Sequence, residues 1–213
     1  MTERVDEEHC CHHSNRKKYY RRLFAAFLTL LILILFVLLI AWIILRPKNP
    51  HFTLQDATLY AFNITTSSNL LTTNFQITLS SSNPNGKSGI FFENLEILGV
   101  YKNQQITLAT QLPNTYTGHK DASVWSPFLY GTSVPVAPYL ATSLAQDQMA
   151  GTVLINLKVF GKVKWKVGSI ATKWYHLKAN CPAYIPFGEK SNGYLSVGNV
   201  VKYQLLQKCN VDV

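Results

Sequence analysis

Residues 71–79, LTTNFQITL, decide the fold of most of this chain. Every second position in this stretch belongs to one set, which consists of Leu71, Thr73, Phe75, Ile77 and Leu79. Successive side chains of a β-strand point to opposite faces, so the pattern predicts a strand with one buried and one solvated face. The run that follows at residues 80–86, SSSNPNG, is rich in turn formers and predicts a change of chain direction.

Similar segments lie on both sides of this strand, separated by turn residues. The sequence predicts strands at residues 52–64, 71–79, 90–101, 106–110, 123–136, 152–159, 163–167, 174–181 and 200–209, and loops at 113–121 and 182–193. We expect Leu59 and Ala61 on the buried face of the first strand, with Phe62 and Ile64 also buried but out of strict alternation. We also expect a break in the third strand near Glu93 and Asn94. Roughly eight short strands at regular spacing are typical of an antiparallel β-sandwich.

One segment of the β-rich region has helical periodicity instead. Pro138 stands near a first turn and Gly151 follows the last periodic residue, which predicts a helix at residues 138–149. Its apolar face is predicted to contain Leu140, Ala141, Leu144, Ala145 and Met149.

The N-terminal part contains a long apolar run, LFAAFLTLLILILFVLLIAWIIL at residues 23–45, without a charged residue. A helix of this length spans roughly 34 Å, which is enough to cross a membrane. The run exceeds the apolar region of a secretory signal, and no small-residue cleavage site follows it. We interpret it as an uncleaved signal-anchor helix in the lipid bilayer.

Positive charge precedes this helix, with five Lys or Arg residues between residues 16 and 22. The positive-inside tendency therefore predicts a single-pass type II membrane protein with a cytoplasmic N-terminus. The predicted parts are a cytosolic basic tail at residues 1–22 without regular structure, the transmembrane helix at 23–45, a spacer at 46–51 and an outer β-sandwich at 52–213.

Residues 47–213 contain 13 Lys residues and no Arg. The lack of Arg and the outward topology both argue against a nucleic-acid partner. Lys162, Lys164 and Lys166 share one face of a predicted strand, with Val163, Trp165 and Val167 on the other. These like charges are either simply solvated or contact an external polyanion, such as acidic polysaccharide or phospholipid headgroups.

Three motifs suggest covalent modification. Asn63-Ile64-Thr65 is an N-glycosylation sequon at a predicted strand end. Cys181 and Cys209 are the two cysteines of the outer part, and they are either a disulfide favoured by an oxidising compartment or two free buried thiols. Cys10 and Cys11 lack the spacing of zinc ligands and are candidates for S-palmitoylation, the alternative being an unmodified tail.

No catalytic constellation is evident in the sequence. His51, His119 and His176 are widely separated, and Glu93 and Glu96 lie on opposite faces if the strand is continuous between them. Neither a nucleophile-elbow motif nor a phosphate-binding glycine loop occurs. We therefore expect a non-enzymatic protein without cofactor or metal.

Several segments resemble one plant family. Residues 74–92 around Asn83-Pro84-Asn85, residues 151–168, the pair Cys181-Pro182 and the closing residues 208–213 are similar to the non-race-specific disease resistance/harpin-induced-like family, whose outer domain is of the late embryogenesis abundant group 2 type. The resemblance covers essentially the whole chain. It implies an immunoglobulin/fibronectin III-like sandwich with one helix.

The resemblance also implies residence at the plasma membrane or at plasmodesmata, and a role in defence, the hypersensitive response or abiotic stress. Two hypotheses follow. The chain is either a membrane-anchored protein that contacts cell wall or membrane-protein partners, or a plasmodesmal glycan- or lipid-binding module that affects cell-to-cell transport and sugar export. We interpret Asn83-Pro84-Asn85 as a turn device and not as a ligand site.

Overall fold

A computed structural model describes residues 5–45, 47–65, 69–187, 195–197 and 200–213. The chain divides into two compact units, Met1–Arg46 and Pro47–Val213. The first contains helix α1, Val5–Leu45. The prediction that the tail lacks regular structure up to residue 22 was wrong, because no Gly or Pro interrupts the chain between Val5 and Leu45 and the helix continues through the charged segment.

Helix α1 contains a stretch with the length and composition of a membrane anchor. Tyr19–Ile40, 22 residues, is apolar enough to cross a bilayer, and every one of its side chains is exposed within the chain. At 22 residues the stretch spans about 33 Å, close to the thickness of a hydrocarbon core. It starts four residues before the predicted span of 23–45, and the side chains of residues 41–45 lie outside the described part.

The second unit consists of 14 described strands and one helix, all antiparallel where strands pair. In chain order they are β1 (His51–Thr65), β2 (Leu70–Ser82), β3 (Gly89–Tyr101), β4 (Gln104–Gln105), β5 (Thr110–Gln111), β6 (Thr115–Thr117), β7 (Ala122–Trp125), β8 (Phe128–Pro135), α2 (Pro138–Met149), β9 (Thr152–Val167), β10 (Ile170–Ala171), β11 (Tyr175–Pro186), β12 (Leu195–Val197), β13 (Val200–Lys208) and β14 (Asn210–Asp212).

The strands form two sheets that enclose one core. A six-stranded sheet has the order β12-β13-β1-β2-β7, with β8 also paired to β2. An eight-stranded sheet has the order β14-β11-β9-β3-β4, with β10 on β9 and both β5 and β6 on β3. Phe52 of β1 meets Phe92 of β3 edge-to-face at 5.8 Å, and both rings contact Trp125 of β7. The predicted antiparallel sandwich is therefore confirmed.

Strand β2 follows the pattern that predicted it. Its inward set, Leu71, Thr73, Phe75, Ile77 and Leu79, is fully buried, and the residues between are partly exposed. The one polar member, Thr73, donates its hydroxyl hydrogen to the carbonyl of Ile106 at 3.2 Å, which satisfies a group that would be costly to bury unpaired.

Strand β1 departs from regular alternation at two β-bulges. Its register against β2 shifts between Leu54 and Asp56 and again between Leu59 and Ala61. The extra residue at the second shift reverses which positions point inward, so Leu59 is buried but Phe62 replaces Ala61 as the next core residue. The prediction for Ala61 was wrong for this reason.

A third bulge interrupts β3 where the sequence suggested a break. Glu93 pairs with Lys162 and Glu96 with Phe160, so two residues of β3 oppose Gly161 alone. Leu95 fills the space above that glycine, since a Cβ on Gly161 would lie 2.5 Å from Leu95 Cδ2. The bulge also puts Glu93 and Glu96 on the same outward face, and not on opposite faces as an uninterrupted strand would require.

Other strand limits differ from the predicted ones. The predicted strand at 123–136 is divided into β7 and β8 at Pro127, the loop at 113–121 contains β6, and β9 is continuous over 152–167. Strand β11 continues past Pro182, where β14 no longer pairs with it and the missing N–H of proline is tolerated. The predicted last strand is β13 followed by β14 in the other sheet.

Helix α2 has the predicted limits, and Gly151 follows it in the left-handed region with φ of 88°. Leu140, Ala141 and Leu144 are buried, whereas Met149 is 82% exposed, so its assignment to the core was wrong. Because Met149 is the last helical residue, its side chain lies beyond the edge of the sandwich core.

An ion-pair cluster joins α2 to the end of β3. The Tyr101 hydroxyl donates to Asp147 Oδ2 at 2.6 Å, and Lys102 Nζ lies 3.3 Å from the same oxygen. Burial, followed by this hydrogen bond, raises the pKa of Tyr101. The hydrogen bond from Tyr101 is the largest effect on the pKa of Asp147 and lowers it; burial opposes this effect, and the hydrogen bond from Lys102 adds to the lowering.

Candidate functional site

The outward face of β9 carries the lysines that the sequence singled out. Lys162 and Lys166 are exposed and Lys164 is half-buried, while Val163 and Trp165 between them are buried in the core. β9 is an interior strand of the eight-stranded sheet, with β3 on one side and β11 on the other. The three lysines therefore lie in the middle of a broad face.

Aromatic side chains from β3, from β6 and from the residue before β11 surround the central lysine. Lys164 Nζ lies 4.2 Å from the ring centre of Trp174 and 5.2 Å from that of Phe91. Phe91 in turn contacts Tyr116 of β6, with ring centres 4.4 Å apart. An ammonium over an aromatic ring is attracted to its negative face. We call Lys162, Lys164, Lys166, Phe91, Tyr116 and Trp174 together the lysine–aromatic face.

Tyr116 lies against the sheet because its neighbour is glycine. A Cβ on Gly89 would lie 2.6 Å from two carbons of the Tyr116 ring and closer still to its hydroxyl oxygen, so only glycine leaves room for the ring. The side chain is nevertheless 48% exposed. Tyr116 thus combines a position close to the backbone with a large area open to solvent.

The lysines of this face have little internal compensation. Two ion pairs within 4 Å occur in the described part of the chain, Lys102–Asp147 and Lys202–Asp56, and neither involves the lysine–aromatic face. Lys162 has two cross-strand neighbours, Glu93 on β3 and His176 on β11. Lys164 is opposite Phe91 and Lys166 opposite Gly89, so neither faces an acid across β3.

More lysines extend the positive region. Lys158 and Lys178 point outward from β9 and β11, and Lys173 lies 5.7 Å from the ring centre of Tyr175. Among the described residues of this sheet, outward carboxylates are fewer, namely Glu93 and Glu96 on β3 and Asp212 opposite Lys178. The face is therefore positive, and at moderate ionic strength its field extends about 8–10 Å into solvent.

The cysteines of the second unit form a disulfide, Cys181–Cys209. The buried Cys181 belongs to β11 of the eight-stranded sheet, and Cys209 stands between β13 and β14, where the chain passes from one sheet to the other. Of the two alternatives left open by the sequence, the disulfide is correct. It links the two sheets at one edge of the sandwich.

Asn83 links the two sheets at a second place. It is buried after the end of β2, and its Nδ2 donates to the carbonyl oxygens of Ser88 and Gly118, both at 2.7 Å. Its Oδ1 accepts from the backbone N–H and the side-chain amide of Asn85. These contacts give the Asn-Pro-Asn motif a structural role.

Asn85 binds the segment that the sequence predicted to be a spacer. The Lys48 backbone N–H donates to Asn85 Oδ1 at 2.8 Å, and Asn85 Nδ2 donates to the Lys48 carbonyl at 2.9 Å. The indole N–H of the buried Trp165 donates to the same carbonyl at 3.3 Å. Lys48 is thereby held to the sandwich, which the sequence reasoning did not anticipate.

The remaining candidate residues stay predictions. Asn63 is exposed on β1, opposite Thr72, and so is accessible for glycosylation. The side chains of Cys10 and Cys11 lie outside the described residues. Within the described part of the chain, no group of three His, Cys, Asp or Glu side chains is placed to hold a metal ion.

Phe91, Tyr116 and Trp174 were missed as site residues. Their separate strands are brought together by pairing over long sequence distances, which single-strand periodicity does not reveal. One signal was available: Trp174 has the same parity as Lys178 on the strand predicted at 174–181, and therefore the outward face.

Comparisons with known proteins find close relatives in Arabidopsis thaliana. "NDR1/HIN1-like protein 1" is 52% identical over 177 residues, covering 83% of this chain and 85% of that protein. "NDR1/HIN1-like protein 12" is 49% identical over 176 residues, covering 83% of both. Neither name states a catalytic activity. No protein-family model matches the chain.

Among solved structures, the solution structure of a putative late embryogenesis abundant protein aligns with 66% of this chain and 73% of that protein. The sequence identity is 16% and the TM-score 0.30. The sandwich described above rests on the strand pairing of the chain itself.

Proposed function

The chain belongs to the NDR1/HIN1-like family, and from this premise we propose that it is a membrane-anchored, non-enzymatic protein of plant disease resistance or stress responses. The helix holds it at the plasma membrane with a cytoplasmic N-terminus, and the sandwich contacts partners on the outer side. The observation that carries the proposal is the exposed apolar stretch Tyr19–Ile40 joined to a sandwich with a positive face, whose three central lysines form no ion pair among the described residues.

The anchor follows from the free energy of exposed apolar surface. All described side chains of Tyr19–Ile40 are exposed, and most are large aliphatic or aromatic groups. Burying one such side chain is favourable by about 1.5–3 kcal/mol, so a bilayer stabilises this helix far more than water does. The cations that precede the apolar run in the sequence favour the cytoplasmic side for the N-terminus.

The proposal is tested by measuring the orientation of the chain in the membrane and its location in plant cells. A full-length chain with a C-terminal fluorescent tag should follow the plasma membrane after plasmolysis, and endoglycosidase should shift the mobility of the wild type but not of Asn63→Gln. Digestion of the tag from the cytosolic side of sealed vesicles would overturn the orientation. Plants without the protein should allow more pathogen growth or tolerate stress less well, and an unchanged response in both assays would contradict the role.

A second candidate function is favoured by the lysine–aromatic face. In this alternative the sandwich is a glycan- or lipid-binding module at plasmodesmata that affects cell-to-cell transport and sugar export. The three lysine substitutions Lys162→Gln, Lys164→Gln and Lys166→Gln then reduce dye movement between cells or change wall attachment. The first candidate predicts instead that the same variant changes only the proteins recovered with it.

A further inference from the structure

We infer that the lysine–aromatic face binds a linear polysaccharide whose sugars carry carboxylates. The inference rests on the proposed function in one respect, namely that the sandwich faces the outside of the cell. It adds the chemical class of the ligand and the residues that contact it.

The three lysines of the lysine–aromatic face favour a ligand with repeated negative charges. Lys162, Lys164 and Lys166 lie on one strand face without a described carboxylate within 4 Å, although the same chain pairs Lys102 and Lys202 with acids. Residues two apart on a strand are separated by about 6.6–6.8 Å, so the three lysines start from regularly spaced positions along β9 and form a row on its outward face. A ligand with repeated negative charges complements such a row better than a single anion does.

The aromatic rings of the lysine–aromatic face favour a ligand that contains sugar rings. Tyr116 lies over Gly89 and is 48% exposed, and Trp174 is 38% exposed beside Lys164. A pyranose ring has an apolar C–H face that packs against an aromatic ring, while its hydroxyls and carboxylate remain at the edge. Rings that lie beside the lysines can therefore contact the sugar face, while the ammonium groups contact the carboxylates of the same polysaccharide chain.

The position of the rings favours a polysaccharide over a membrane surface. Side chains that anchor proteins to bilayers enter the boundary between headgroups and acyl chains, which requires projection beyond the surrounding surface. Here Tyr116 lies against the backbone of Gly89, and Phe91 is half-buried in contact with it. Such rings can stack with a flat ligand but cannot penetrate a lipid layer.

The experiment uses the purified full-length chain in mild detergent and immobilised polygalacturonate. We expect retention that falls with added salt, because the ion pairs between the lysines and the carboxylates of the polysaccharide are exposed to solvent. The combined Lys162→Gln, Lys164→Gln and Lys166→Gln variant should weaken binding by about tenfold or more. Tyr116→Ala and Trp174→Ala should each weaken it roughly three- to tenfold, whereas Tyr116→Phe should retain it.

Two controls separate this site from general charge attraction. Lys87, Lys120 and Lys208 are exposed lysines outside the face, and their combined replacement by Gln removes the same charge. This variant should bind like the wild type. Methyl-esterified polygalacturonate has the same backbone with its carboxylates capped, and it should be retained weakly.

Specific outcomes overturn the inference. They are equal retention on the esterified polymer, equal losses in the two lysine variants, or unchanged binding of both Tyr116→Ala and Trp174→Ala while thermal unfolding shows that they are folded. Binding to phosphatidylserine vesicles that depends on the same residues, without binding to polygalacturonate, identifies lipid as the ligand instead. Because this assay does not depend on location in the cell, its failure leaves the proposed function standing, and mislocalisation leaves the measured binding standing.

Discussion

The lysines on the two sheets of the sandwich are held in different ways. On the six-stranded sheet, Lys202 Nζ lies 3.2 Å from one oxygen of Asp56, whose other oxygen accepts a hydrogen bond from Thr78 at 2.7 Å. On the eight-stranded sheet, Lys164 lies over the rings of Trp174 and Phe91 instead. Within the described residues, neither ion pair involves a lysine of the lysine–aromatic face.

This difference separates stability from binding. A lysine paired with a carboxylate contributes modestly to the folded state and has little attraction left for another anion. Lysines without a carboxylate repel one another slightly but maintain a positive potential that attracts anions from solution. The two sheets share one core, so the difference arises from their outward side chains alone.

The largest expected effect comes from separating the two sheets at Cys209. Cys209→Ser removes the disulfide to Cys181, which closes a loop with a sequence separation of 28. Loss of this constraint should lower the free energy of unfolding by roughly 3–4 kcal/mol, measured by urea denaturation of the full chain in detergent. Reduction of the wild type should have a similar effect, and an unchanged midpoint in either sample would contradict the assigned role.

Asn83→Ala breaks the second junction between the sheets. It leaves the carbonyls of Ser88 and Gly118 without their donor and Asn85 without its acceptor. Because these groups are buried, we expect a loss of about 2–3 kcal/mol in the free energy of unfolding. Asn210→Ala, at an exposed position, is the matched control and should change little. Equal effects of the two substitutions would refute this account.

The ion-pair cluster at Asp147, which includes Lys102, contributes to the free energy of unfolding in a way that depends on pH. The pKa of Asp147 is lowered in the folded state, mainly by the hydrogen bond from Tyr101. The ionised carboxylate therefore contributes fully to the free energy of unfolding above the unfolded pKa of about 3.9. This contribution is lost as the pH falls through the lowered pKa of the folded state. Asp147→Asn should therefore reduce the free energy of unfolding by about 1 kcal/mol at pH 7. Urea denaturation should show a smaller difference at pH 3, and a constant difference would mean that the carboxylate charge is not involved.

The smallest effect tests the comparison of the two sheets directly. Lys202→Gln should lower the free energy of unfolding by roughly 0.5–1 kcal/mol, because the pair with Asp56 is partly exposed. Lys166→Gln should leave stability unchanged or slightly raised, because it relieves repulsion from Lys164. A double-mutant cycle with Asp56→Asn isolates the coupling energy of Lys202. Equal losses at Lys202 and Lys166 would remove the distinction between the sheets.

Regular alternation made part of the fold predictable. Residues 71–79 gave the buried face of β2, and Pro138 with Gly151 gave the limits of α2. The bulges of β1 were not predictable from the pattern, because an extra residue reverses the parity, as Ala61 and Phe62 demonstrate. Similarly, helix propensity alone did not indicate that α1 begins at Val5.

The candidate site could be predicted only on one strand. Lys162, Lys164 and Lys166 follow from the alternation within β9, since period two is a local property. Phe91 joins them through β3, and Trp174 lies just before β11. The register of these two strands against β9 depends on the bulge at Asn94 and on the pairing of distant segments. The attachment of Lys48 to Asn85 likewise depends on contacts across 37 residues.

That attachment determines how the sandwich responds to mechanical tension from its N-terminal side. A pull transmitted along the chain reaches the Asn85 and Trp165 contacts at Lys48 before it reaches β1 at His51. Once these contacts yield, force acts along the axis of β1, which has hydrogen-bonded neighbours on both sides. Many hydrogen bonds then resist shear together instead of opening one after another. The contacts of Lys48 with Asn85 and Trp165 are therefore the first that the sandwich loses when the chain is stretched.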